Sequence, residues 1–452
     1  MEVFMKNLFD TKITFLSLIK LTLPTVIMMM FFSLYTIIDG IFVSNLVSSN
    51  ALSSINIVFP IINLLIGIGV MFATGGSAIV AKTMGEGNNK KARENFSIIT
   101  LSALICGLII AVISILFIKN IILALGSTEV LYNDCYSYLL IMLIFTPCII
   151  LKMYFDYFLI TAGVAKLGLI SSVVGGIINV VLDYIFMAKF NMGVSGAAIA
   201  TCLGYAIPSL VGILYFFNKN NLLHFVKPKF DFKVIKDSCI NGSSEMVTQL
   251  SSAITTFVYN IVMINLLGED GVAAITIILY IQFLLCSVYL GFTSGASPCI
   301  SYNYGAKNNN QLRCLVKNSF LIVFLFSIAS FLISRLSSEF LISAFTSKGS
   351  DVFNISLNGF NIFSFSFLLT GFNIFITGMF TAFSNGKISA MLSLMRTLIL
   401  FIIGIILLPN LVGINGVWLV VPFSEIITIL LGAFYVYKYK EKYMYKKQLV
   451  LN

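Results

Sequence analysis

Twelve apolar runs, each long enough to cross a bilayer as a helix, dominate the sequence. A hydrocarbon core about 30 Å thick requires about 20 predominantly apolar residues at about 1.5 Å of rise each. Runs of that length fall at 16–42, 53–81, 97–118, 136–160, 167–187 and 194–217, then at 242–267, 272–301, 318–338, 352–383, 388–408 and 414–437. Because lipid offers backbone groups no hydrogen-bond partners, a spanning segment must satisfy its own, so the pattern predicts an all-α polytopic membrane protein. Charged residues make up only 10% of the chain and mean hydropathy is +1.00, whereas a soluble domain carries about 25% charged residues. Glu2, Lys6, Asp10 and Lys12 lead straight into a span too long for the apolar core of a secretory leader, so no cleaved leader is expected.

The net charge of +10 points to topology rather than to nucleic acid. Of the 28 Lys and Arg residues, 21 lie at the amino terminus, in the even-numbered loops or at the carboxyl terminus, and only Lys119, Lys189, Arg335 and Lys348 lie in the odd-numbered loops. The excess of basic loops on one side predicts a multi-pass protein of the cell (inner) membrane with both termini cytoplasmic. Residues 218–237, with five Lys, form the longest polar stretch between spans and read as a cytoplasmic linker. The organisation expected is an amino-terminal six-helix half (1–217), this linker, a carboxyl-terminal six-helix half (238–437) and a basic cytoplasmic tail (438–452).

The second half repeats the first at an offset of 220. Gly75, Ser77, Gly85, Asn88, Asn89 and Arg93 recur as Gly295, Ser297, Gly305, Asn308, Asn309 and Arg313, and Gly193-Val194-Ser195-Gly196 as Gly413-Ile414-Asn415-Gly416. Asn45-Leu46 is matched by Asn265-Leu266. With an even number of spans in each half, the repeats run parallel and should face one another around a central cavity, the usual seat of a transported substrate.

Ionisable residues inside spans are costly and mark function by default. Here they are Asp39, Lys152, Asp156, Asp183, Glu245, Arg396 and Glu425. Lys20, Lys152, Asp156 and Glu245 read as lying near cytoplasmic ends, where long side chains reach the interface. Asp39 and Asp183 instead fall in the outer half of the first and fifth spans. Asn179 shares a helix face with Asp183, and Thr201 lies roughly 12 Å inside the outer end of the sixth span. Two carboxylates, an amide and a hydroxyl can thus meet at one level, a set that suits Na⁺ or H⁺. At the 220 offset these four positions become Tyr259, Ile399, Ile403 and Val421, so the scaffold itself does not require them. Glu245 and Gln249 share a face and are secondary candidates, and Arg396 and Glu425 are expected to pair. Pro24, fifteen residues before Asp39, frees a backbone carbonyl and weakens its helix locally. Met28 through Phe32 could line the cavity with soft apolar surface.

Other chemistries find no support. The eight Cys are scattered without CxxC spacing and read as packing residues, and the one histidine, His224, lies in a loop. No phosphate-binding loop of a nucleotide-driven pump and no nucleophile constellation is present, so neither an ATPase nor another enzyme is expected.

Leu23-Pro24 through Asp39, Met84-Gly85-Glu86-Gly87 with Arg93, Tyr302-Asn303-Tyr304-Gly305-Ala306-Lys307 and Asn241-Gly242-Ser243-Ser244-Glu245 together resemble the multidrug and toxic compound extrusion family over nearly the whole chain. The segment Ile160-Thr161-Ala162-Gly163 departs from the family's charged pattern after the fourth span. The resemblance implies an antiporter that exchanges Na⁺ or H⁺ for organic, amphipathic and mostly cationic drugs or toxins. It implies a coupling-ion site at Asp39, Asn179, Asp183 and Thr201 with a carbonyl near Ala197, and a bending hinge at Pro24. Partners would be a small organic molecule, the coupling ion and the bilayer, with no cofactor and no nucleic acid, in a monomer. The rival reading is a lipid or glycolipid flippase of related architecture, which should carry several cationic side chains in its cavity.

Overall fold

The apolar runs form sixteen α-helices, α1 to α16, in the computed structural model, which describes residues 13–443 and has no strand among them. The segment before Ile13, with Lys6 and Lys12, and residues 444–452 of the expected basic tail lie outside the described residues. Ten helices are long and apolar enough to cross alone. The pair α5 (Glu129–Ile144) and α6 (Thr146–Thr161), bent by 58°, makes an eleventh crossing. The twelfth comes from α9 (Phe232–Gly305), whose 74 residues form two arms joined at Gly268, where φ is +66°.

Helices outrun the apolar pattern wherever a cap allows. Asp231 accepts hydrogen bonds from the Lys233 and Val234 amides and starts α9 at Phe232, inside the stretch read as linker. Hydropathy cannot register such a start, because its first turn is polar. Asn88 and Asn308, 220 apart, do the same for α3 (Asn89–Leu116) and α10 (Asn309–Leu336), each accepting from the amide three residues on. The turn before each cap passes through a left-handed residue, Gly87 (φ +81°) in the first half and Lys307 (φ +55°) in the second.

The repeated glycines form the seam between halves. A Cβ on Gly75, in α2 (Ser49–Gly85), would lie 2.6 Å from the Gly242 amide nitrogen. Its counterpart Gly295 faces Thr22 and Thr25 of α1 (Phe15–Leu46) equally closely, and Thr25 Oγ1 donates to the Gly291 carbonyl at 2.7 Å. At the ends of the same helices Gly85 meets the Tyr302 carbonyl and Gly305 meets the Lys82 carbonyl. These pairs also exchange under the 220 offset. Backbone therefore touches backbone across the seam, which only residues without side chains permit.

Both described ends gather on this face, called the near face below. The Ile13 amide donates to Gln311 Oε1 at 3.0 Å, and the Tyr443 ring stacks on Phe383 at 4.5 Å. The linker lies here too. Arg93 Nε donates to the Leu222 carbonyl at 2.7 Å, the Val226 amide to Ser97 Oγ at 3.0 Å, and Phe225 stacks on Phe96 at 5.0 Å. His224 Nδ1 lies 2.7 Å from the Asn221 carbonyl, a local loop contact. Toward the far face, Asn56 of α2 and Ser252 and Thr256 of α9 are exposed within their spans. Polar side chains exposed in a span belong to water-filled surface rather than lipid. Contacts of the linker and both described ends cover the near face, while polar side chains are exposed toward the far one.

The seam makes a prediction. Gly85→Val places a branched side chain where even a Cβ collides with backbone, at a cost of about 1–3 kcal/mol for overpacking. In a Cys-free background carrying Tyr302→Cys, maleimide labelling from the near face should accelerate with Gly85→Val, and an unchanged rate would show that the seam absorbs the side chain.

Candidate functional site

The far half of the first repeat brings the sequence-identified residues together. Asp39 lies on α1, Asn179 and Asp183 lie one turn apart on α7 (Ala165–Asp183), and Thr201 lies on α8 (Gly193–Phe217). Asn179 Nδ2 donates to Thr201 Oγ1 at 3.4 Å, and the Asp39 and Asp183 carboxyls lie within hydrogen-bonding reach of each other. Gly204 allows α8 this close, since a Cβ there would sit 2.9 Å from the Asn179 Cβ. Asp183 is fully buried, and Ala197 is buried one turn before Thr201. After Asp183 the helix widens into a π-helical turn, Tyr184–Lys189, a departure frequent at functional sites.

Four buried oxygens here accept no hydrogen bond from the protein: Asp39 Oδ1, Asn179 Oδ1 and both Asp183 carboxyl oxygens. Buried acceptors normally find donors, so such a cluster is an acceptor-only set suited to a hard cation or a proton. Among the described residues no three His, Cys, Asp or Glu side chains converge. The set is therefore two carboxylates with neutral oxygens. Three tyrosines that were not singled out from the sequence surround it. Tyr35 hydrogen-bonds to Tyr205, and Tyr35, Tyr205 and Tyr138 all lie close enough to feel the charge of Asp39. The spacing of Tyr35 and Asp39, four residues on one helix, was the available signal. Tyr259, the counterpart of Asp39, packs edge-on against Phe401 at 4.8 Å instead. Pro24 lies within α1, which is helical throughout Phe15–Leu46.

The expectation that Lys152 and Asp156 reach the interface is corrected. Lys152 Nζ and Asp156 Oδ2 form a 2.9 Å ion pair whose side chains are only 5% and 6% exposed. Ser172 Oγ donates to Asp156 Oδ1 at 3.0 Å, and the ammonium lies 4.3 Å from the Phe32 ring centroid. The physical reason is depth. Lys152 lies nine residues short of the near end of α6 at Thr161, roughly 14 Å of helix, whereas a carboxylate one turn away is in immediate reach. Lys20, by contrast, is exposed.

Glu245 lines a cavity between the halves with Thr74, Ser77, Tyr157, Thr293 and Ser297. Gln249, one turn on, packs beside Gly67. Arg396 and Glu425 pair as expected, Nε to Oε1 at 3.0 Å, and Asn373 Nδ2 donates to Glu425 Oε2 at 2.6 Å. All eight cysteines are free.

Comparison with known proteins adds a family match. A family model described as MatE matches residues 24–185 and again 246–406. The multidrug export protein MepA of Staphylococcus haemolyticus (strain JCSC1435) is 24% identical over 96% of both chains. MepA of Staphylococcus saprophyticus subsp. saprophyticus is 22% identical, covering 91% of this chain and 89% of that relative. Among solved structures, a MATE in complex with MaL6 superposes with a TM-score of 0.91 at 22% identity, covering 97% of this chain and 99% of the other. An outward-facing multidrug resistance MATE family transporter gives 0.89 at 23% identity, covering 95% and 96%.

Proposed function

This chain belongs to the MatE family, and on that premise we propose that it is a secondary active exporter, exchanging inward Na⁺ or H⁺ for organic, amphipathic and mainly cationic solutes. The observation that carries the reading is the cluster of four unmet buried oxygens around Asp39 and Asp183. The relatives named as multidrug export proteins support the choice of cargo. The uneven distribution of Lys and Arg supports placing the near face, with both termini, in the cytoplasm.

On this reading the first half takes the coupling ion from outside. Carboxylates that face each other without a donor repel, and a cation or proton between them removes that repulsion. Asp183 and Asp39 supply the charge, while Asn179, Thr201 and the carbonyl near Ala197 complete the oxygen set. Ion arrival draws α1 and α7 together, and Pro24, which lacks an amide donor, lets α1 bend rather than move as a rod. Glu245 faces the cavity through which cargo passes, with Gln249 one turn on beside Gly67. Export against a gradient then follows because ion and cargo compete for one conformational equilibrium. No cofactor takes part, and one chain suffices.

The two ammonium and guanidinium groups deep in the spans, Lys152 and Arg396, are each held by a carboxylate. This favours export of a cationic solute over movement of an anionic lipid headgroup. The test is efflux of a fluorescent organic cation from proteoliposomes under imposed Na⁺ or H⁺ gradients. Efflux that follows one gradient supports exchange and names its ion. Movement of labelled lipid without cation efflux would overturn it in favour of a flippase.

A further inference from the structure

Two buried acidic centres, one around Asp183 in the first half and one around Glu425 in the second, are met in opposite ways. In the first, Asp183 offers two oxygens that no protein donor meets. In the second, Glu425, 2% exposed, has both oxygens engaged: Oε1 by Arg396 Nε at 3.0 Å and Oε2 by Asn373 Nδ2 at 2.6 Å. The same amide also donates to the Glu425 backbone carbonyl at 3.0 Å. Arg396 sits in a π-helical turn, Met395–Ile399, in the middle of its span, so its backbone is already displaced from regular helix at the point of pairing.

The repeat shows that the scaffold does not demand this trio. At the 220 offset Arg396, Glu425 and Asn373 correspond to Gly176, Tyr205 and Met153. The acidic set of the first half is equally missing from the second. Each of these two centres is therefore absent from the matching positions of the other half. The first is short of donors, and the second carries its own cation.

We infer that Arg396 is a tethered cation that fills the acidic centre at Glu425 and closes it to mobile cations, leaving the Asp39–Asp183 pair as the open one of these two centres. A guanidinium stays charged at any pH a cell meets and presents a planar fork that matches a carboxylate. It does not lose its proton, as a buried lysine can, nor leave, as a bound ion does. Its charge also reaches Glu245, which lines the cavity between the halves, so the tether affects the cargo path as well. The inference takes its significance from the exchange reading, but its test needs no transport.

The chain supplies the reporter. Trp418, its one tryptophan, is 1% exposed and lies on the helix of Glu425, α16 (Ile414–Tyr439). Seven residues separate the two, about two turns, so they share a face. Trp418 emission would be titrated with sodium and with millimolar guanidinium, at ionic strength held with N-methylglucamine. The parent would carry Asp39→Asn and Asp183→Asn to silence the first half. The parent should show no saturable change. Arg396→Ala should show saturable guanidinium binding, with a midpoint at least about tenfold below the highest concentration to which the parent stays unresponsive, and adding Glu425→Gln should abolish it. Arg396→Lys, which keeps a tethered charge, should behave as the parent. A saturable response in the parent that Glu425→Gln removes would overturn the inference, because Glu425 would then be open with Arg396 in place. So would a folded Arg396→Ala that binds nothing. Should Arg396→Ala not fold, Arg396→Gln replaces it. Recovery of neither variant, even when purified in guanidinium, would also overturn it, since a free cation must substitute for a tethered one. Loss of export in the wild type with these titrations intact would instead strike the exchange reading alone.

Discussion

Asp183→Asn is expected to abolish gradient-driven efflux in proteoliposomes while leaving the protein folded. The substitution keeps the shape and removes one negative charge from a pair with three oxygens that no donor reaches. A hydrogen bond or ligand contact to a charged group is worth about 1.5–3 kcal/mol, so affinity for the coupling ion should fall roughly tenfold to a hundredfold. Coupling suffers more than affinity. A ligand shifts an equilibrium only by its differential affinity for the two states, and an Asp39 left alone distinguishes them poorly. Asp39→Asn should act in the same direction, and the two together should add little beyond either, because they address one ion. Efflux assayed under a fixed gradient, with thermal unfolding as the folding control, separates these outcomes. Wild-type rates in both variants would move coupling out of the first half, and Glu245 would be the next residue to test.

Asp156→Ala should cost the fold more stability than Gly85→Val, Asp39→Asn or Asp183→Asn. It strands the Lys152 ammonium in a pocket where its side chain is 5% exposed. Removing one member of a buried pair costs about 3–5 kcal/mol, because the remaining charge has no water to return to. The aromatic faces of Phe32 and Tyr205, 4.3 and 5.6 Å from the ammonium, stay in place and offset part of that cost, about 2 kcal/mol for a desolvated cation. Replacing both partners should cost far less. Lys152→Met with Asp156→Leu removes both charges and keeps most of the volume, a change that in other proteins is often neutral. Thermal unfolding in detergent of the two singles and the double forms a cycle. Equal losses in all three would mean that packing, and not the charge pair, dominates at this site.

Much of the candidate site is legible in the sequence, and what is hidden there is hidden for physical reasons. Lone carboxylates such as Asp39 and Asp183 stand out in an apolar run because lipid makes them costly, and the repeat supplies counterparts without charge. The twelve crossings are legible for the same reason. Lys152 and Asp156 mislead, although their spacing of four and opposite signs are in view. Proximity to a loop suggests that they reach the interface, but pairing lowers the cost of depth more than reaching the interface does. Tyr35, Tyr138 and Tyr205 escape notice because, in a chain with 19 Tyr and 41 Phe, only the four-residue spacing of Tyr35 from Asp39 sets one of them apart. Only the folded bundle turns their hydroxyls toward Asp39. The repeated glycines mark a duplication in the sequence, while their use, backbone contact across the seam, becomes visible only with the partner helix in place.

The linker's attachment bears on how the chain is strung. Residues 222–226 are held by Arg93, Ser97 and Phe96 of the first half, while Ile13 at the other described end is held by Gln311 and Cys314 of the second. Only the few residues between Val226 and the cap at Asp231 pass from one half to the other without such an anchor. Continuity of the polypeptide therefore contributes little to keeping the halves together, since the glycine seam does that. A break between Lys227 and Phe230 should leave two fragments that co-assemble when made together, joined at the glycine seam and by Ile13 of the first on Gln311 of the second. Two genes could encode this molecule as readily as one.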